Sequence, residues 1–145
     1  MSDHAGCLLR QAVYEHLISR DNRIVDLGPA VDTAADYPDS AVKLAMVLEN
    51  NDEGLGIAVC GSGIGISIAL NRFAWVRAAL VSSSEAANLS RRHNNANVLA
   101  FGERLIARDL ALKCVDTFLA TKFEGGRHQP RVDKLAVIGA ERRTL

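Results

Sequence analysis

No charge of either sign is in excess in this chain: 17 Lys and Arg balance 17 Asp and Glu over 145 residues. Without a global field to gather nucleic acid or an anionic membrane, any recognition of anions has to be local. Cysteine is sparse and odd in number. Cys7, Cys60 and Cys114 contain no C-x-x-C pair, which argues against a disulfide framework or a zinc site and for free thiols in a reducing compartment. No apolar run is long enough to span a bilayer, and the first residues carry no leader pattern. The expected location is cytoplasmic. Repeats, low-complexity tracts and linkers are also missing. With 48% hydrophobic and 23% charged residues, the chain reads as one globular domain over residues 1–145, long enough to bury a real core.

The most informative stretch runs from Gly56 to Asn71. Residues 57–59 form a short apolar, partly β-branched run that predicts a buried strand, with Cys60 at its carboxyl end. Gly61, Gly63 and Gly65 follow at alternate positions, and Ile66, Ile68, Ala69 and Leu70 then resume a helical apolar pattern. A strand, a glycine loop and a helix start make a natural anion site, because backbone N–H groups and the helix dipole both favour negative charge there. The dinucleotide fingerprint G-x-G-x-x-G does not fit, since the third glycine comes one place early and Ile66 holds its position.

The remaining pattern alternates helices and strands. Leu8, Leu9, Ala12, Val13, Leu17 and Ile18 give a first helix its core-facing stripe, with Ser2 or Asp3 available as a cap. A strand is expected at 24–27, closed by Gly28 and Pro29. Pro38 suits the first turn of a second helix carrying Val42, Leu44, Ala45, Val47 and Leu48. Residues 77–81 read as a strand, and Ser82 with Glu85 three residues later matches a capping box for a helix ending near Arg91, Arg92 and His93. Another strand is expected at 97–101, then helices at 106–119 and about 131–142. Cys114 falls on the apolar face of its helix and reads as core; Arg142 and Arg143 read as solvated surface. Strands alternating with helices through short loops imply a parallel sheet covered on both faces, with the ligand beyond the carboxyl ends of the strands.

Six motifs, in order, then converge. They are Ser2-Asp3-His4-Ala5-Gly6, Asp36-Tyr37-Pro38-Asp39, Cys60-Gly61-Ser62-Gly63-Ile64-Gly65, His93-Asn94-Asn95-Ala96-Asn97-Val98, Gly102-Glu103-Arg104, and Gly125-Gly126-Arg127-His128-Gln129-Pro130-Arg131. Together they resemble the ribose-5-phosphate isomerase B family, which also includes the galactose-6-phosphate isomerase subunits. The resemblance implies an α/β fold, a three-layer α/β/α Rossmann-like sandwich with a parallel sheet. It also implies an aldose–ketose isomerase that needs no cofactor and no metal, interconverting ribose 5-phosphate and ribulose 5-phosphate through an enediolate. A six-carbon substrate, allose or galactose 6-phosphate, is the alternative within the class. A catalytically silent sugar-phosphate-binding protein is the alternative outside it.

Such a reaction needs a base, a place for the developing oxyanion and an anchor for the phosphate. The resemblance gives Cys60 the proton-transfer role, and a helix N-terminus can lower a thiol from its ordinary pKa of about 8.5. Backbone amides from Gly61 to Gly65, Gly63 among them, would hold the enediolate oxygen, with Ser62 adding a hydroxyl. His93, followed by Asn94, would assist ring opening, since imidazole titrates near neutral pH. Asp3, His4 and Tyr37 match positions beside the sugar, while Arg127 and Arg131, with Arg104, would grip the phosphate dianion. In the family the His-Asn motif and the arginines reach a neighbouring subunit's cysteine pocket. A homodimer, or a dimer of dimers, with shared active sites is therefore implied, and neither nucleic acid nor membrane is an expected partner. One departure stands out: the family begins with about half a dozen apolar residues forming a central strand, and here Met1 stands where that strand ends. On the resemblance, low stability is expected of the chain as written, and Asp3 and His4 lack the strand that positions them.

Overall fold

A computed structural model describes residues 1–30 and 33–138. The helices are α1 (Cys7–Ile18), α2 (Tyr37–Glu49), α3 (Ile64–Leu70), α4 (Ser84–Asn94), α5 (Arg108–Ala120) and α6 (Gln129–Val137). Between them run β1 (Gly56–Cys60), β2 (Ala78–Leu80) and β3 (Val98–Gly102). The strands pair in parallel in the order β1-β3-β2, with Gly56 opposite Val98 and Cys60 opposite Gly102.

Strand alternation sorts the core into two layers. Val59, Leu99 and Phe101 point to one face, where they pack with Leu9, Val13 and Leu17 of α1 and Ala111, Val115 and Phe118 of α5. Ala58, Cys60, Val98 and Ala100 point to the other, against Leu44 and Leu48 of α2 and Ile66 and Leu70 of α3. The result is the expected α/β/α sandwich. Cys114 is fully buried in the first layer, and that burial pushes its thiol pKa up. Cys7 is also buried and free. Among the described residues no helix is long and apolar enough to cross a membrane.

Three sequence expectations need correction. Residues 24–27 form no strand: they run beside the sheet without joining a ladder. A cavity of about 420 Å3 lies along this segment, lined by Ile24, Leu27, Val13, Leu44, Ile57 and Val59 among others. Ile24 and Leu27 are only half-buried and Val25 is exposed, and without a paired neighbour the run makes no strand. The cap of α4 is Ser83 rather than Ser82, its hydroxyl accepting from Ala86 N–H at 3.1 Å. The last helix begins two residues early, at Gln129. Its expected end at Arg142, and Arg143, lie outside the described residues.

The amino-terminal residues are held despite the departure noted above. Met1 N–H donates to Ile57 O at 3.0 Å, Val59 N–H to Met1 O at 3.1 Å, and Asp3 N–H to Val59 O at 3.2 Å. Ser2 thus forms a parallel bridge with Val59 on the edge of β1 away from β3. Asp3 Oδ1 accepts Ala5 N–H at 2.9 Å and caps a single 3-10 turn, His4–Gly6, that leads into α1. Burial of the terminal amine lowers its pKa from 8.0 to about 6.

Candidate active site

At the carboxyl ends of the strands the chain builds one group of site residues almost entirely from backbone. Cys60 ends β1 and is 4% exposed. Its Sγ accepts the Gly63 N–H at 3.0 Å, and Ser62 Oγ accepts the Ile64 N–H at 3.3 Å. Among the described residues, the N–H groups of Gly61, Ser62 and Gly65 donate to no protein acceptor. Three free donors therefore surround the loop beside the sulfur, an arrangement suited to an oxyanion.

Two tight approaches hold this loop. Gly63 has φ +75°, and a Cβ there would come within 2.7 Å of the Phe101–Gly102 backbone. A Cβ on Gly102 would meet the Ser62 carbonyl at 2.4 Å. The loop after β3 closes the clamp, with Glu103 N–H donating to Cys60 O at 2.9 Å and Arg104 N–H to Gly61 O at 3.1 Å. Glu103 Oε2 meanwhile accepts Leu9 N–H at 3.0 Å in the first turn of α1, so one residue ties the cysteine loop to the helix behind Asp3.

Side chains frame the loop. A Cβ added to Gly61 would lie 3.3 Å from the Arg104 guanidinium, and one added to Gly65 would lie 2.9 Å from the Tyr37 ring. His4 Nδ1 bonds Ala35 O at 2.9 Å, and Ser40 Oγ donates to Ser2 O at 3.0 Å, joining the Asp3-His4 turn to the start of α2. Asp3 is buried; His4, Tyr37 and Arg104 are exposed. Cys60, Ser62, Gly61, Gly63, Gly65, Asp3, His4, Tyr37 and Arg104 thus share one edge of the sheet.

His93, Asn94, Arg127 and Arg131 are on the opposite edge. Helix α4 starts after β2 at the carboxyl edge and returns antiparallel to the strands, leaving His93 and Asn94 at its end just ahead of β3. With Cys60 in register with the last residue of β3, about 13 Å of strand lies between the two edges. The loop after α5 arrives at the same amino edge, where Glu124 N–H donates to Arg92 O at 3.1 Å. One copy of the chain does not bring His93 to its own Cys60.

The amino edge holds two residues that the sequence reading assigned no role. The His93 and His128 rings stack at 4.4 Å with planes 9° apart. Glu124 Oε2 lies 3.8 Å from His93 Nε2 and 3.7 Å from His128 Nε2, while its Oε1 accepts from Arg92 Nε at 2.6 Å. Arg127 Nε donates to His128 Nε2 at 3.4 Å. The hydrogen bond from Arg92 holds the Glu124 carboxyl below its usual range. Burial, with the neighbouring His93 and Arg127 charges, lowers the His128 pKa against the pull of Glu124. The one available sequence signal for this cluster was the i, i+4 spacing of Glu124 and His128.

This arrangement has close counterparts. The family model described as Ribose/Galactose Isomerase matches residues 1–135. The chain belongs to that family. Ribose-5-phosphate isomerase B of Escherichia coli (strain K12) is 41% identical over 140 residues, covering 97% of this chain and 94% of the relative. The solved Clostridium thermocellum ribose-5-phosphate isomerase B superposes with a TM-score of 0.93 at 42% identity, covering 97% and 95% of the two chains. A Mycoplasma genitalium ribose-5-phosphate isomerase B with bound ribulose-5-phosphate gives 0.89 at 44% identity, covering 99% and 94%. Membership in the ribose/galactose isomerase family places this chain among the sugar isomerases and accounts for its Rossmann-like fold.

Proposed function

We propose that the protein interconverts ribose 5-phosphate and ribulose 5-phosphate in the cytoplasm. It works as a homodimer, or a dimer of dimers, with the whole chain acting as one catalytic domain. The observation that carries this reading is the Cys60 thiol, buried at a strand end and accompanied by the unused N–H groups of Gly61, Ser62 and Gly65. The Mycoplasma genitalium relative with ribulose-5-phosphate supports the choice of substrate.

In this mechanism His93 of a second copy opens the sugar ring by moving a proton between the ring oxygen and the anomeric hydroxyl. Cys60 then takes the C2 proton, and the electron pair moves toward O1 to give the enediolate. Free amides of the glycine loop receive that developing charge, and the Ser62 hydroxyl, still able to donate, adds to them. The O2 proton passes to O1, the electron pair left on O2 forms the C2 carbonyl, and the proton returns at C1 to give the ketose. Asp3, His4, Tyr37 and Asn94 position the sugar, and Arg104 with the second copy's Arg127 and Arg131 holds the phosphate.

The division of the site residues between opposite sheet edges supports sharing between copies, and a complementation assay tests it. Cys60→Ala and His93→Asn chains, each inactive alone, are refolded together and assayed for ribulose 5-phosphate. Random pairing restores roughly a quarter of wild-type turnover, because half the dimers carry one intact site of two. No recovery from well-folded mixtures would sink the shared site. Turnover of a six-carbon sugar phosphate but not of ribose 5-phosphate would move the substrate assignment.

A further inference from the structure

Two imidazoles and a carboxylate converge at the amino edge, and the isomerase reading uses only one of the three. His93 Nε2, Glu124 Oε2 and His128 Nε2 all lie within 4.8 Å of one another. They come from two separate pieces of chain, the end of α4 and the loop before α6. Three features set this cluster apart from a chance surface grouping. His128 is 7% exposed, so one ligand is already desolvated and held. Arg92 occupies Glu124 Oε1 and leaves Oε2 facing the two rings. Arg127 Nε donates to His128 Nε2, which makes that nitrogen the lone-pair end of the ring.

We propose that His93, Glu124 and His128 form a site for a divalent transition-metal ion of the Zn2+ type, and that the bound ion inhibits the enzyme by occupying the His93 imidazole. The inhibitory half rests on the isomerase reading above; the binding half does not. Two imidazole nitrogens and one carboxylate oxygen are the donor set of an open tetrahedral zinc site, with the fourth position left to water. Nitrogen donors select Zn2+, Co2+ or Ni2+ over Mg2+ and Ca2+. Zn–N bonds of about 2.0–2.1 Å put two ligand nitrogens about 3.4 Å apart, so closure needs a small contraction. Binding also requires the stacked rings to fan open about their Cβ–Cγ bonds, bringing both lone pairs onto one point, and Arg127 to release His128. Arg92 stays in place, orienting the carboxylate as an outer partner. Once coordinated, His93 Nε2 has no lone pair with which to accept or return a proton at the sugar ring.

The test uses the full chain in a phosphate-free buffer with Co2+ as a spectroscopic probe and Zn2+ as the competitor. One Co2+ per chain binds with the visible absorption of tetrahedral coordination and without the near-ultraviolet charge-transfer band of a thiolate ligand, and Zn2+ displaces it. Glu124→Gln and His128→Gln each weaken binding by at least about tenfold, and Mg2+ does not compete. Absence of binding, or a thiolate band that vanishes in Cys60→Ala, would overturn the site. For inhibition, Zn2+ lowers wild-type turnover while Glu124→Gln, active in metal-free buffer, resists it; equal inhibition of the two would overturn that half. A metal-free wild type with no turnover but an intact Co2+ spectrum would sink the isomerase reading and leave the metal site standing.

Discussion

The carboxyl and amino edges of the same small sheet are built by different means. At the carboxyl edge Cys60 and its loop are fixed by backbone: the Gly63 N–H on Sγ, the Glu103 and Arg104 amides on the loop carbonyls, and close approaches that leave no room for a Cβ. At the amino edge His93, Glu124 and Arg92 hold the buried His128 and one another through charge and ring stacking. A backbone-built site is rigid and resists change until it fails outright. One built from side chains can be retuned by single substitutions. Proton abstraction from carbon needs the first property, and reaching into a second copy of the chain is compatible with the second.

The sharpest way to separate the edges is Cys60→Ala. Turnover falls by about a hundred- to ten-thousandfold, while circular dichroism and the thermal midpoint stay close to wild type, because the thiol fills little volume. A variant that retained activity would remove Cys60 from the mechanism. Gly63→Ala strikes the same edge through its backbone. A Cβ at φ +75° pressed against the Phe101–Gly102 backbone should destabilise the fold by about 3 kcal/mol in urea titrations. A loss under half of that would mean that the loop yields more readily than its contacts imply.

The amino-terminal residues that carry Asp3 to the carboxyl edge give a pH test. The Met1 amine titrates near 6 in the fold against 8.0 when free, so between these values the unfolded chain binds more protons than the folded one. Stability should therefore rise by about 2 kcal/mol from pH 6 to pH 8 in a chain that starts at Met1. Acetylating the amine should flatten that rise, and an unchanged slope would place the amine in water. The smallest effect belongs to the amino edge. In Glu124→Gln the one group that raises the His128 pKa is neutralised, so its NMR titration midpoint should move down while the thermal midpoint hardly changes. An upward shift would show that the carboxylate does not face that ring.

Most helices and the cysteine loop were legible because their signals are local. Pro38 at the first turn of α2, the stripe of Leu9, Ala12, Val13 and Leu17 on α1 and the three glycines after a β-branched run each follow from short-range sterics or burial, whereas Leu8 and Ile18, expected in the same stripe, are exposed. Residues 24–27 read as a strand from their apolar composition, yet Val25 stays exposed and no neighbour pairs with the run, because composition is silent about a pairing partner. The choice between Ser82 and Ser83 as the cap of α4 turned on where the backbone becomes helical, within a run of three serines that the sequence leaves degenerate. The Glu124–His128 cluster was invisible as a unit because its Arg92 and His93 partners come from another helix.

By itself the sequence determined the order of strands and helices from Gly56 onward, the position of Cys60 at a strand end, and a motif order specific enough to name the family. The reason is that steric, capping and burial preferences act over a few residues and are written where they act. Tertiary structure alone decided that the named residues divide between two edges. Each crossover helix must return the chain to the amino end of the next parallel strand, so His93 is carried away from Cys60. Neighbourhood across a sheet depends on strand order and helix direction, which no local spacing encodes.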